Sequence, residues 1–212
     1  MVDEHQKWLM KKLFDSRDRN GDVVFMVNTN PISDAMDIDI PVPSHSQNEN
    51  VEMKDESSVN LVKIKCHRHV LIGQSSYFKG LMEFQQLQNA NDQEIVLTVN
   101  EHSPDVFMAM IKFLYLGESQ INSNELVDLL QLCQEYLLAG MKQAIEHIFA
   151  EQLTLDLFVD VYMLTKAFDC SYLKDRVMSF GRANRAELRN RGFLSQIDKD
   201  DMLAIMSKNS NA

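Results

Sequence analysis

The stretch Ile64-Lys-Cys-His-Arg-His-Val-Leu-Ile-Gly-Gln-Ser-Ser-Tyr-Phe78 decides the fold. Just ahead of it and into it, Val62 and Ile64 alternate with Lys63 and Lys65, the period of two expected of a half-buried strand. Past His67 and Arg68, the run Val70, Leu71, Ile72 suits one face of a short helix, with Gly73 where a C-cap glycine would end it. Ser75 is placed to cap a second helix, because the pairs Tyr77/Leu81 and Phe78/Met82 each share one helix face. A strand tip, a buried helical turn and a serine-capped aromatic helix therefore follow one another without a linker.

Working outward toward the N-terminus, Trp8, Leu9, Leu13 and Phe14 stand among charged residues and predict an amphipathic helix over 3–14. Arg19-Asn20-Gly21 marks a turn, and Asp22 to Val27 reads as a strongly apolar strand. Residues 28–58 change character. Three of the four prolines lie there, and Asp34, Asp37, Asp39, Glu49, Glu52, Asp55 and Glu56 face a single Lys54. Such a composition buries little surface against its ordering entropy, which predicts a loop. Met36, Ile38, Ile40 and Val42, however, alternate with Asp37, Asp39 and Pro41, the pattern of an edge strand that docks on a sheet. Both readings stand on sequence alone.

Toward the C-terminus, Val59 to Lys65 and Glu94 to Val99 read as strands, with a polar loop at 83–93 between the aromatic helix and the latter. Ser103-Pro104 opens a helix whose Val106, Phe107, Met110, Ile111, Phe113 and Leu114 predict a core position for both phenylalanines. Asn122-Ser-Asn-Glu125 has the form of a capping box for a helix carrying Leu126 to Leu138 and ended by Gly140, and Met141 to Phe149 forms the next. Thr154, Ser171 and Asp198 are candidate caps of three further helices. Arg182, Arg185, Arg189 and Arg191 are more in keeping with a solvated helix face than with an anion site.

Length and charge bound the function. The 212 residues fit one large domain, or a domain with a small helical extension. A net charge of −10 argues against a nucleic-acid surface, which needs clustered Lys and Arg. No apolar run approaches the roughly 20 residues of a membrane span, and Met1 to Trp8 lacks a secretory pattern. Cys66, Cys133 and Cys170 are odd in number and far apart, which predicts reduced thiols in the cytoplasm or nucleus.

No constellation of catalytic residues stands out, and the expectation is a protein that is not an enzyme and needs no cofactor. Cys66, His67 and His69 have no second Cys/His pair to complete a zinc site, so no metal is expected there. Cys133 lies on an apolar helix face, and Ser75 and Ser103 lack the Gly-x-Ser-x-Gly context of a nucleophile. With seven glycines and no clustered set, no phosphate loop is present.

The central stretch resembles the BTB/POZ domain. Its pattern there is a small residue, His, Arg or Lys, then Val-Leu, then Ser-x-Tyr-Phe. His67, Arg68, Ser75, Tyr77 and Phe78 match, Cys66 replaces the small residue, and Ser76 replaces the usual proline. The segment Ser103-Pro…Phe113-Leu-Tyr-x-Gly117 and the helix–turn–Asp22 strand at the start fit the same pattern. The resemblance covers 5–27 and 59–150, and implies an α+β fold: a small, mostly three-stranded sheet flanked by a helical cluster. Residues 1–150 would form this domain, with 28–58 as an insertion, and 151–212 resemble the first helical hairpins of a BACK domain.

The resemblance also implies function. Such modules mediate protein–protein contacts, form homodimers, and often serve as cullin-3 adaptors of ubiquitin ligases, as the speckle-type POZ protein does. The alternative is a scaffold or transcription-associated BTB protein with no cullin partner. By the family pattern, the first helix and first strand exchange between protomers, which assigns Trp8, Leu9, Leu13, Phe14, Val23 and Phe25 to a dimer interface. Asp22 and Arg68 would form a charged pocket near it. Tyr77, Leu87, Asn89 and Tyr115 would contact cullin-3, although the hydrophobic-x-Glu motif expected before the third strand reads Leu87-Gln88-Asn89. No stretch resembles a substrate-recognition domain, so the substrate protein stays unknown.

Overall fold

A computed structural model describes residues 4–29, 61–88, 94–117 and 125–207. The Met36–Val42 question, Asn89, and Asn122 to Asn124 lie outside the described residues. The architecture is α+β. Helix α1 (Glu4–Asn20) leads into β1 (Val23–Asn28), and β2 (Leu61–Cys66) passes into α2 (Arg68–Gln74) and α3 (Ser76–Gln88). Then come β3 (Ile95–Val99), α4 (Pro104–Leu116), α5 (Leu126–Glu135) and α6 (Ala139–Glu151). The C-terminal part holds α7 (Phe158–Ala167), α8 (Ser171–Ala183), the short α9 (Arg185–Asn190), a 3-10 turn at Phe193–Gln196 and α10 (Lys199–Met206).

The sheet order is β2-β1-β3. Strand β1 pairs antiparallel with β2, with Phe25 opposite Ile64, and parallel with β3, with Phe25 opposite Leu97. The middle strand of a covered sheet needs apolar residues on both faces, and the run Val-Val-Phe-Met-Val supplies them. Val23, Phe25 and Val27 face the helices, where the Phe25 ring meets Phe78 and Phe107 at 5.7 and 4.8 Å between centroids. On the opposite face Val24 is also buried, between Lys65 and Val96 in register, where Lys65 Nζ reaches across to Glu94 Oε1 at 2.6 Å. Within the single chain, Val23 and Phe25, assigned above to a dimer interface, are buried at 0% and 1% exposure. Taking β1 out would remove the middle strand of the chain's own sheet, so Val23 and Phe25 are core residues.

Ser75 ends α2 and starts α3. Its Oγ accepts the Phe78 N–H at 3.0 Å and donates to the Tyr136 carbonyl at 2.6 Å, as the capping expectation required. Gly73 lies inside α2 and is no C-cap. The polar run from Glu83 continues α3 to Gln88, because Glu, Gln and Leu are good helix formers even where no packing decides. Ser103 caps α4 by accepting the Val106 N–H at 3.3 Å, with Pro104 at the first helical position. Phe107 is fully buried, but Phe113 is only half-buried. The break after α5 falls at Leu137, which takes a left-handed φ of 51°, while Gly140 sits inside α6.

One continuous apolar cluster runs from Val23 in β1 to Ile205 in α10, so the C-terminal helices share the core of the first part. The boundary expected at 150/151 falls at the end of α6, and that helix reaches onward: buried Glu146 accepts the Leu173 N–H at 2.8 Å. Glu146 thus caps α8 from outside, where Ser171 was expected to do so. Thr154 accepts the Leu157 N–H at 3.4 Å ahead of α7. Asp198 holds the N-cap position of α10, but its carboxylate goes to Lys166 Nζ at 2.6 Å.

Three substitutions test these contacts. Phe107→Ala should cost about 3–5 kcal/mol, the range for a buried aromatic, while the half-buried Phe113→Ala costs clearly less, both read from urea unfolding. A Cβ at Gly21 would stand 2.5 Å from the Arg17 carbonyl and 2.9 Å from that of Cys66. Gly21→Ala must therefore push α1 away from the tip of β2, and should lower the melting temperature although it removes no contact.

Candidate functional site

Arg68 opens α2, and its backbone N–H has no partner within the helix. His67, at the N-cap position, offers no side-chain acceptor. Asp22, at the mouth of β1, supplies it. Its Oδ1 accepts the Arg68 N–H at 2.7 Å and its Oδ2 accepts the Nε–H at 2.6 Å. Burial alone would raise the Asp22 pKa, but the hydrogen bonds and charge of Arg68 outweigh it and hold the carboxyl below its usual value. The predicted pair is formed, and both side chains are half-buried.

Tyr115 completes this corner from α4. Its hydroxyl accepts the His67 backbone N–H at 2.8 Å and lies 2.8 Å from Nδ1, while its ring meets Phe14 edge-on at 5.5 Å. Burial pushes the phenol up to about 12. Tyr115 is 4% exposed, so it offers no contact to a partner and is removed from the cullin face. Desolvation lowers the His67 pKa below its usual value. Among the described residues, Cys66, His67 and His69 do not bring their ligand atoms together. The buried Cys133 and Cys170 thiols are pushed up to about 12 and about 11 by desolvation, which makes them poor nucleophiles.

Among the described residues, α3 and α1 each leave large apolar side chains exposed. On α3, Tyr77 is 41% and Phe84 57% exposed, at the i, i+7 spacing that puts both on one stripe, with half-buried Leu81 between them. The Tyr77 ring is set edge-on against Phe78 and Tyr136, at 5.4 Å each, so it is held in place before any partner arrives. Leu87 lies in the last turn of α3 and not in a loop. On α1, Trp8 and Leu9 are 50% and 47% exposed, and no residue of this helix is fully buried. Lys12 Nζ lies 4.0 Å over the Trp8 ring, and Leu13 and Phe14 pack half-buried on their own chain.

A further group was not legible from spacing. His102, buried in the turn before α4, has Nε2 at 2.5 Å from Oε2 of Glu135, the last residue of α5. With Glu101, the candidate ligand atoms of all three lie within 4.8 Å of one another. The acids stand on two elements far apart in sequence, and only the odd choice of a buried histidine beside a Ser-Pro helix start hints at it.

Comparison with known proteins names the fold. The family profile of the BTB/POZ domain matches residues 56–153, so the chain carries a BTB/POZ domain, the class of module that mediates protein–protein interaction. An Arabidopsis thaliana ARM repeat protein interacting with ABF2 is 31% identical over 54% of this chain and 16% of its own length. Kelch-like protein 7 of Rattus norvegicus is 22% identical over 70% of this chain and 25% of its own. A BTB/POZ domain-containing protein of Arabidopsis thaliana is 21% identical over 82% of this chain and 71% of its own. The chain thus spans a small part of the first two. Among solved structures, the BTB domain of zebrafish PATZ1 superposes with a TM-score of 0.45 and 15% identity, covering 71% of this chain and 96% of that one.

The Asp22 pair has a pH signature. A carboxyl whose folded pKa lies below the usual 3.8 stabilises the fold above that value, and this contribution is lost as pH falls through the folded value. Asp22→Asn should be less stable than the wild type at neutral pH. The gap should close below the folded pKa of Asp22, as read from melting temperatures of the two proteins along a pH series.

Proposed function

We propose that this chain is a homodimeric adaptor that docks the N-terminal helices of cullin-3 on α3 and thereby brings a bound protein to a ubiquitin ligase. The observation that carries it is the α3 stripe. Tyr77 and Phe84 are large, exposed and aromatic, and Tyr77 is pre-positioned by Phe78 and Tyr136. Rigid aromatic anchors of this kind dominate helix-docking interfaces. The dimer half of the reading rests on α1, whose Trp8 and Leu9 would be covered by a second copy. Three buried, reduced cysteines suit the cytoplasm or nucleus.

One observation favours a second reading, a scaffold without cullin. The motif position that carries glutamate in cullin-binding relatives is Asn89, and a neutral amide is a weaker acceptor than a carboxylate. Titration against the cullin-3 N-terminal domain separates the two. The adaptor reading expects saturable binding that Tyr77→Ala and Phe84→Ala each weaken by about 2 kcal/mol, roughly thirtyfold. Absence of binding at high micromolar concentration leaves the scaffold. Light scattering should give a dimer for the wild type and a monomer for Trp8→Glu/Leu9→Glu; a wild-type monomer would end the dimer half.

A further inference from the structure

We propose that Glu101, His102 and Glu135 form a binding site for a single divalent transition-metal ion of the zinc class. The ion would clasp the turn before α4 to the end of α5. The inference is independent of the adaptor reading.

The three side chains come from two elements, yet their candidate ligand atoms lie within 4.8 Å of one another, close enough to surround one cation. One imidazole nitrogen and two carboxylate oxygens suit a borderline ion such as zinc, with solvent completing the coordination on the exposed side of the two glutamates. Neither Glu101 nor Glu135 has a Lys or Arg ion-pair partner among the described residues, so two acids face one histidine. A divalent ion would neutralise that pair of acids.

The ligands are also held. His102 is buried, and its ring tilts against Tyr136 at 6.4 Å between centroids. Glu135 ends α5 directly before Tyr136, so its backbone is fixed together with that residue. Tyr136 in turn cannot swing away, because its backbone carbonyl accepts the Ser75 hydroxyl and its ring stacks on Phe78 at 5.1 Å. The fold therefore fixes two of the ligands in advance, and the exposed Glu101 is left to close over the ion.

The test uses the full chain, freed of metal with a chelator and titrated with zinc chloride by calorimetry. The expected result is one ion per chain with micromolar or tighter affinity, and a rise in melting temperature on saturation. Glu101→Gln and Glu135→Gln should each weaken binding by roughly tenfold or more, given that even outer-shell changes act on that scale. Circular dichroism should show both variants folded; Glu101→Gln is at the surface and keeps the test valid if Glu135→Gln unfolds. Cobalt substituted for zinc should give d–d bands without thiolate charge transfer, because no cysteine is a ligand. The proposal is overturned if no saturable binding occurs, if Glu101→Gln binds as the wild type does, or if a thiolate band places the metal on a cysteine.

Discussion

Asp22 is the contact on which the domain's first half turns. It sits between Gly21, where α1 hands over to β1, and the first paired residue of the middle strand. Its carboxylate caps α2 through the Arg68 N–H and holds the Arg68 guanidinium, and its own carbonyl accepts the Ile95 N–H that starts β3. One residue thereby fixes the directions of a helix and of a strand that are far apart in sequence. A carboxylate is suited to this because it accepts several hydrogen bonds at once and opposes the positive end of the helix dipole. The close packing of Gly21 on the Cys66 backbone brings Asp22 within reach, so the two residues act as one device.

Much of this was legible in the sequence for a local reason. The caps at Ser75 and Ser103 depend on a hydroxyl and the next turn, and both formed as read. The strands were given by alternation or by an unbroken apolar run. The misreadings share a different cause. Gly73 and Gly140 suggest helix ends, but α2 runs on to an extended Ser75 and the left-handed turn after α5 is made by Leu137. Tyr115 carries an amphipathic side chain that sequence places equally well at a surface or in a core; the His67 backbone N–H decided for the core. The role of β1 was not a matter of composition at all. An interface strand and a middle strand can have the same residues, and the pairing of β1 with both β2 and β3 is what puts Val23 and Phe25 in the core.

The same logic applies to the joint between the two parts of the chain. Nothing in the sequence around Glu146 marks it as a cap, since its partner Leu173 lies on another helix. A buried carboxylate without partners is costly, so Glu146 and the start of α8 have to stay together. The C-terminal helices are therefore bound to α6 by a directional contact as well as by shared apolar surface. This makes the end of α6 a poor place for a hinge, whatever the composition of the linker suggests.

The aromatic cluster around Tyr136 links what would otherwise be separate sites. Its ring supports Phe78 and Tyr77, hence the exposed stripe of α3, and tilts against His102, the hydrogen-bond partner of Glu135. Its carbonyl meanwhile receives the Ser75 hydroxyl that caps α3. A change that frees the ring would loosen the cap, the docking stripe and the His102 contact together. A change confined to the hydroxyl would leave the ring contacts, and with them the stripe and the His102 contact, in place. The difference between removing the ring and removing only its oxygen is thus the physical measure of how far the α3 surface and the Glu135 corner are one unit.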